Sequence, residues 1–291
     1  MYHLVYGFLY AFSLLPWKGL YFISDFVYVL MYYVFGYRKL VVMANLLIAF
    51  PEKTEVERIK IAKEFYHNFL DTFIETLKFL SISEKDFNKR LSGNFGIFQD
   101  LYKSGQSVQI HSGHFFNWEY MNWGLVKYSP YPLLGVYAPI GNDIFNKIML
   151  KIRGRYNTIL IPTYTFKTSF HKYSTSQYAL GLAADQAPHP AKGFWLPFFG
   201  KPAPFATGPE KGASVNNTAI VLVHFYKVKR GYYNADFKLL TTEPKSFARG
   251  ELTKLYVDFL EKCIRKKPAN YLWSHRRWKH GFSEEYRGNV I

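Results

Sequence analysis

The chain has 291 residues, enough for one large domain or two small ones with a sizeable core. Hydrophobic residues make up 49% of the chain and the mean hydropathy is −0.13, which excludes a disordered chain and a polytopic transporter. The single cysteine, Cys263, excludes an intramolecular disulfide framework and a cysteine-based zinc site. The net charge of +16 indicates negatively charged partners: nucleic acid, an anionic membrane, a phosphorylated substrate or an acidic carrier protein.

The first 37 residues differ in composition from the rest. Lys18 and Asp25 are their only charged side chains, and Arg38 and Lys39 close the apolar run. A cleavable signal peptide is disfavoured, because no basic stretch precedes the run and no small-residue cleavage site follows it. A membrane anchor or half-inserted helical hairpin, a core helix pair and an uncleaved targeting segment remain as interpretations. The tyrosine-rich, nearly uncharged composition favours the first, so we predict a membrane-associated helical segment over 1–40.

The next signals predict alternating helices and strands. Thr54 to Glu57 has capping-box spacing and opens a helix predicted over 54–80. Short apolar runs predict strands near 108–111, 133–137, 158–161, 178–184, 219–228 and 232–240. Helical segments are predicted between them near 116–127, 143–154, 165–175, 208–216 and 248–266.

This alternation predicts an α/β domain over 41–291, with a mostly parallel central sheet flanked by helices. The last two apolar runs flank Gly231 and predict an antiparallel hairpin. No internal repeat and no low-complexity linker interrupts the domain.

A histidine and a glutamate five residues apart follow the first predicted strand. On a regular helix, His114 and Glu119 would lie roughly 140° apart. They can meet if His114 lies in a loop at the carboxyl edge of the sheet and Glu119 one turn into the next helix. A carboxylate on one imidazole nitrogen would leave the other nitrogen free to take a proton from a hydroxyl. The alternative is a polar pair that only stabilises a strand-to-helix turn.

Gly113 to Glu119 reads GHFFNWE, which contains the His114-x4-Glu119 spacing. With this segment the chain resembles the lipid A biosynthesis acyltransferases of the lauroyl or myristoyl type, within the glycerolipid acyltransferases that share an H-x4-D/E motif, and the segment is similar to the family's GHFGNWE. Further matches follow in order between about 20 and 280: Asn45-Leu46, Phe50-Pro51-Glu52, Phe65-Tyr66 with Asn68, Tyr137 with Pro139, Arg153-x-Arg155, Ala184-Asp185-Gln186, Phe198-Phe199-Gly200 and Trp273 to Lys279. Two departures concern the bound headgroup: Ala138 stands where the family often has arginine, and Lys227 or Lys229 where an arginine is expected.

The resemblance implies a glycerolipid acyltransferase-like fold and roles for single residues. His114 would be the general base and Glu119 its partner. The substrate-binding residues would be Arg153, Asp185, Gln186, Arg155, Asn117 and Arg277. Asp185 ends an apolar run, so we also expect it at the carboxyl edge of the sheet, converging with His114 on one crevice, where it orients an arginine or the acceptor sugar.

The predicted function is therefore a membrane-associated O-acyltransferase of lipid A (lipopolysaccharide) biosynthesis, on the cytoplasmic face of the bacterial inner membrane. An acyl carrier protein or coenzyme A would donate the chain to an anionic lipid acceptor, and no metal or resident cofactor is expected. An acyltransferase for another amphiphile, such as a phospholipid or an amino-acid lipid, is the alternative within the class. The rival from another class is a basic nucleic-acid-binding protein, for which no recognised motif is present, so no nucleic-acid partner is expected.

Overall fold

The computed structural model describes all 291 residues and confirms the α/β class. The α-helices are α1 (Tyr2–Leu14), α2 (Trp17–Val29), α3 (Lys39–Ala49), α4 (Glu55–Lys78), α5 (Glu84–Arg90), α6 (Ile97–Lys103), α7 (Trp118–Tyr128), α8 (Asp143–Gly154), α9 (Phe166–Ser169), α10 (Gly208–Asn216) and α11 (Glu251–Lys266). The strands are β1 (Leu91–Gly93), β2 (Val108–Ser112), β3 (Leu133–Tyr137), β4 (Ile159–Pro162), β5 (Ala179–Ala183), β6 (Gly193–Phe198), β7 (Lys201–Ala206), β8 (Ala219–Lys229) and β9 (Tyr232–Thr241).

Seven strands form one sheet in the order β1-β9-β8-β2-β5-β3-β4. Strands β8, β2, β5, β3 and β4 run parallel, and β9 returns antiparallel to β8, so the predicted sheet and hairpin are both confirmed. The hairpin turn contains Gly231 with a φ of 75°, a conformation that glycine adopts without a steric penalty. Because β2 and β5 are neighbours, the residues that follow them meet at one edge of the sheet.

The local signals that the sequence carries most strongly are confirmed. Helix α4 begins with a capping box, in which Glu57 N donates to Thr54 Oγ1 at 3.3 Å and Thr54 N donates to Glu57 Oε2 at 2.8 Å. The helix predicted over 165–175 is shorter: α9 has four residues and continues only as a 3₁₀ turn over Phe170–Lys172.

A second, two-stranded sheet made of β6 and β7 is not among the predicted elements. The prolines of this segment weaken a strand prediction from the sequence, because proline has no backbone N–H to donate to a neighbouring strand. In this ribbon Pro197 pairs with Pro202. No third strand joins the ribbon, although the end of the chain contacts β6, where Ile291 N donates to Trp195 O at 3.2 Å. The two-residue turn places both Phe199 and Gly200 at positive φ (50° and 73°), the geometry of a type I′ hairpin.

The N-terminal helices have one buried and one exposed apolar side. No single helix of the chain is long and apolar enough to cross a membrane. Helix α2 continues as a π-helical turn over Leu30–Phe35, and α1 together with this longer helix meets that requirement only as a pair bent by 112°. Leu20, Tyr28 and Tyr32 on the inner side are buried. The outer side exposes large apolar side chains: Leu4, Phe8, Leu14, Phe22, Phe26, Val34 and Phe35.

Polar contacts attach the inner side of these helices to α4. Ser24 Oγ donates to Asp71 Oδ1 at 2.8 Å, and Tyr21 Oη donates to Glu75 Oε1 at 3.0 Å. Both carboxylates are almost completely buried, so the hydrogen bonds satisfy groups that would be costly to leave unpaired. The segment therefore combines a face that packs like a core with an apolar face that has no protein partner.

Candidate active site

His114 lies in the turn between β2 and α7, at the carboxyl edge of the sheet. Strand β2 is buried along its whole length and fixes the start of this turn. The side chain of Asn117 fixes its end by accepting the Glu119 N–H at 3.1 Å as the N-cap of α7. The His114 side chain is 21% exposed, so a substrate can reach the imidazole.

Asp185 follows β5, the neighbour of β2, and contacts the imidazole directly. Its Oδ1 lies 2.5 Å from His114 Nδ1, and its Oδ2 accepts the His114 backbone N–H at 3.1 Å. The contact places a proton on Nδ1 and leaves Nε2 as an acceptor. Gln186 Nε2 lies 3.1 Å from that second nitrogen and is part of an exposed side chain. An incoming hydroxyl group can therefore replace the amide.

The electrostatics of the pair favour a charged imidazole. Burial alone would lower the pKa of His114, but the charge and hydrogen bond of Asp185 outweigh it and raise the pKa above its usual value. Burial opposes ionisation of Asp185 as well, yet the interaction with His114 lowers the pKa of that carboxyl to about 2. Asp185 is thus ionised at neutral pH and stabilises the imidazolium that forms when His114 takes a proton.

The structure corrects the partner that the motif spacing suggested for His114. Glu119 makes no hydrogen bond to the imidazole. Its carboxylate, 2% exposed, is paired with Arg153, whose Nε and Nη2 lie 2.9 and 2.7 Å from Oε1, and it also accepts from Trp118 Nε1 at 3.0 Å. The first turn of α7 directs Glu119 towards α8, while the neighbouring strand already supplies a carboxylate to His114.

Arg153 lies in the last turn of α8, and Arg155 is its C-cap residue. Their side chains point in different directions, because residues two apart on a helix do not share a face. Arg153 lines the cavity beside His114, and its Nη1 makes no hydrogen bond to the protein. Arg155 donates to the carbonyl oxygens of Phe79 and Ile82, where the chain leaves α4. Arg155 therefore connects the end of α8 to the end of α4 through these hydrogen bonds.

Asn117 and Arg277, also expected at the site, are buried and do not line the cavity. Besides capping α7, Asn117 donates from Nδ2 to Glu75 Oε2 at 3.2 Å. Arg277 donates to the Pro204 carbonyl at 3.0 Å, its guanidinium lies over the Phe205 ring at 4.1 Å, and burial lowers its pKa. Asn117 therefore supports the turn that carries His114, and Arg277 packs against β7.

A mostly apolar cavity of about 300 Å³ opens beside the imidazole. Strands β2, β5 and β3 form its floor, and α7 forms its roof with Trp118, Met121 and Leu125. Arg153 and Glu119 lie in its wall. An elongated apolar group can occupy this space with its reactive end at His114.

A second, polar cleft of about 850 Å³ lies between α4, the β8–β9 turn and the end of α11. Asp71 pairs there with Lys227 at 2.8 Å and Arg230 at 2.7 Å. The remaining lysines of the cleft have no carboxylate within 4.0 Å: Lys60, Lys229, Lys266 and Lys267. The segment after α11 joins the cleft to the active site, because Asn270 O accepts the Phe116 N–H at 2.9 Å. This cationic cleft suits an anionic group that is bound near the imidazole.

The comparison with protein families places the chain in one family. The model of the family described as bacterial lipid A biosynthesis acyltransferase matches residues 1–280. The chain belongs to this family. It is therefore an acyltransferase of the lipid A biosynthesis type, and the resemblance seen in its motifs is confirmed. No curated protein matches the chain at a significant level.

Trp118 is a residue of this acyltransferase's site that sequence reasoning missed. Its ring lies 5.9 Å from the His114 ring and nearly perpendicular to it, and its indole N–H holds Glu119. Trp118 lies inside the H-x4-E motif, directly before Glu119, and this position in the sequence could have indicated that it belongs to the site. Met121 and Leu125, one and two turns into α7, follow at helical spacing towards the cavity.

Proposed function

We propose that the protein is a membrane-associated O-acyltransferase that moves a fatty acyl chain from a thioester to a hydroxyl group of a lipid A precursor. The observation that carries this proposal is the His114–Asp185 pair at the mouth of an apolar cavity, in a chain of the lipid A acyltransferase family. The pair supplies a base for a hydroxyl group, and the cavity supplies a place for a hydrocarbon chain.

In the proposed reaction, His114 Nε2 takes the proton of the acceptor hydroxyl while the oxygen attacks the thioester carbonyl carbon. Asp185 stabilises the imidazolium through Nδ1. The new C–O ester bond forms, the C–S bond breaks, and the sulfur leaves with the bonding electrons. The leaving thiolate needs little acid assistance, because a thiol has a pKa of about 8.5. The imidazolium then returns the proton to the thiolate or to water.

Arg153 is the cation in the wall of the cavity beside His114, where it would face the developing negative charge, and Glu119 positions it. The two nitrogens that bind Glu119 fix the guanidinium plane, and Nη1 is left without a hydrogen-bond partner in the protein. A fixed cation beside the carbonyl oxygen stabilises the tetrahedral intermediate. Glu119 is in this account a positioning residue for Arg153, rather than the partner of the base.

We place the enzyme on the cytoplasmic face of the inner membrane, with the outer side of α1 and α2 in contact with lipid. Phe8, Phe22 and Phe26 are 70%, 76% and 60% exposed, and burying a phenylalanine side chain is worth about 1.5–3 kcal/mol. The basic surface adds attraction to anionic lipid. The helices would then lie along the interface and bring the acceptor headgroup to His114.

Replacing Phe8, Phe22 and Phe26 together by serine is expected to weaken binding to anionic vesicles at least about tenfold, because apolar area is lost without touching the core. Co-sedimentation with the vesicles measures this. The control replaces exposed apolar residues elsewhere, Val215 and Phe282, by serine. Equal binding by both variants and the unmodified enzyme would place the membrane contact elsewhere.

We propose that an acidic acyl carrier protein is the donor and that it docks at the cationic cleft. Lys266 and Lys267 lie at the exposed end of α11 and have no acidic partner. Coenzyme A, the other thioester donor, presents far fewer negative charges over a smaller surface. The cleft therefore favours the carrier protein as the source of the chain.

Changing Lys266 and Lys267 together to glutamate is expected to raise KM for the acyl carrier protein at least about tenfold, since attraction becomes repulsion. Turnover with acyl-coenzyme A should change less than about threefold. Steady-state kinetics with both donors measure this. The matched control changes Lys254 and Lys262, exposed on the same helix but outside the cleft. The docking proposal fails if both pairs raise KM equally.

The acceptor is tested by mass spectrometry of membrane lipids from cells with and without the protein. We expect the cells that lack it to accumulate a lipid A species lighter by one acyl group. An unchanged lipid A profile, together with a change in phospholipids or amino-acid lipids, would assign the enzyme to another amphiphile.

A further inference from the structure

The floor of the acyl cavity contains a row of residues from four neighbouring strands. Register aligns Ile110 of β2, Gly181 of β5, Gly135 of β3 and Leu160 of β4. Residues aligned across a parallel sheet point to the same face, and all four line the cavity. On β2 this row lies four residues before His114, at most roughly 13 Å from it at about 3.3 Å per extended residue. The row therefore lies where the distal part of a bound hydrocarbon chain would reach.

Two adjacent glycines leave a gap in the middle of this row. A Cβ atom at Gly181 would come no closer than 3.8 Å to any other group, the nearest being the Leu134 carbonyl oxygen. A Cβ atom at Gly135 would be tighter, 3.3 Å from Thr158 Cγ2. Neither glycine has a positive φ, so the backbone conformation does not require glycine at either position.

Glycine inside a strand weakens it, because it adds no packing and loses more conformational entropy on folding than other residues. Since the backbone conformation does not require glycine at 181, we infer that the absence of a side chain there keeps the adjoining space open. That space is the cavity that begins at His114. The neighbouring Ile110 fills the same row with a buried side chain, which shows what an ordinary strand residue would do there.

We propose that Gly181, with Gly135 beside it, determines the length of the acyl chain that the enzyme transfers. The inference rests on the proposed acyl transfer and adds a specificity residue to it. The gap admits the last carbons of the chain, and a side chain at Gly181 excludes them. Ile110 bounds the gap on the β2 side.

The test replaces Gly181 by valine and offers a mixture of acyl carrier protein thioesters with saturated chains of increasing length. Each methylene denied its apolar site costs about fourfold in preference. A valine side chain that displaces three methylenes should therefore lower the long-to-short ratio of kcat/KM by roughly ten- to a hundredfold. Mass spectrometry of the acylated product measures the ratio. Ile110→Val is expected to shift the preference in the opposite direction.

The variant is expected to fold, because valine suits a strand better than glycine and its Cβ makes only an ordinary contact, 3.8 Å from the Leu134 carbonyl oxygen. The control is Gly96→Val, at an exposed glycine outside the cavity that has no atom within 4 Å of its Cβ position. Binding of free saturated fatty acids, followed by quenching of tryptophan fluorescence including Trp118, gives a readout that needs no turnover. A shorter optimum in Gly181→Val, in products or in binding, supports the proposal. Unchanged chain-length dependence in both would overturn it, while leaving acyl transfer itself intact.

Discussion

Replacing His114 by alanine is expected to lower acyl transfer at least about 10²-fold, within the range that general bases contribute. The imidazole is the group held by Asp185 with its second nitrogen turned towards substrate, and alanine leaves nothing there to accept the hydroxyl proton. Transfer of a labelled acyl group to the lipid acceptor measures the loss. Because the variant leaves the buried Asp185 without its imidazole partner, some fall in the thermal unfolding midpoint is expected, and activity is compared at equal amounts of folded protein.

The matched control is His171→Ala, which removes an exposed histidine of the 3₁₀ turn after α9, outside the cavity beside His114. It should retain the activity of the unmodified enzyme. Near-normal turnover in His114→Ala would remove the imidazole from the mechanism.

The second large effect is expected from Asp185→Asn, through both the rate and its pH dependence. Catalysis needs neutral His114, so activity should rise with pH as His114 deprotonates, with a midpoint above the usual histidine value of about 6.5. Asparagine removes the charge that raises the pKa and leaves burial, which lowers it. The acid limb of the pH–rate profile, where activity rises with pH, should therefore move to lower pH. The maximal rate should fall by about 10²-fold or more.

Glu119→Gln is the matched comparison for Asp185→Asn, since it neutralises the other buried carboxylate of the site. It should also reduce turnover, because Arg153 loses its charged partner. Its acid limb should stay where it is in the unmodified enzyme, because Glu119 does not contact His114. A shift of the limb in Glu119→Gln and none in Asp185→Asn would reverse the roles that the structure gives to the two carboxylates.

Much of the fold could be predicted from local patterns. The capping box of α4, the short apolar strands and the Gly231 hairpin depend on residues close together in the chain, and each is confirmed. The β6–β7 ribbon escaped prediction because Pro197, Pro202 and Pro204 suppress the strand signal. Those prolines are tolerated because the ribbon has only two strands.

The site was predicted in its location but not in its pairing. His114 and Asp185 each follow an apolar run, so their placement at one edge of a parallel sheet follows from the strand pattern. Asp185 contacts the imidazole because β5 lies directly beside β2 in the sheet. The amino-acid sequences of the two strands do not indicate that they are neighbours. The alignment of Gly135 with Gly181 depends on strand register in the same way. Contacts between distant segments carried no local signal in this chain.

The most direct measurement of the central claim is acyl transfer by the purified enzyme in lipid nanodiscs, given an acyl carrier protein thioester and a lipid A precursor. Mass spectrometry should show the precursor gain one acyl group with the unmodified enzyme. With His114→Ala, the same amount of folded protein should give at least about a hundredfold less product. A precursor that gains no acyl group from the unmodified enzyme, or gains it equally from both proteins, would contradict the account.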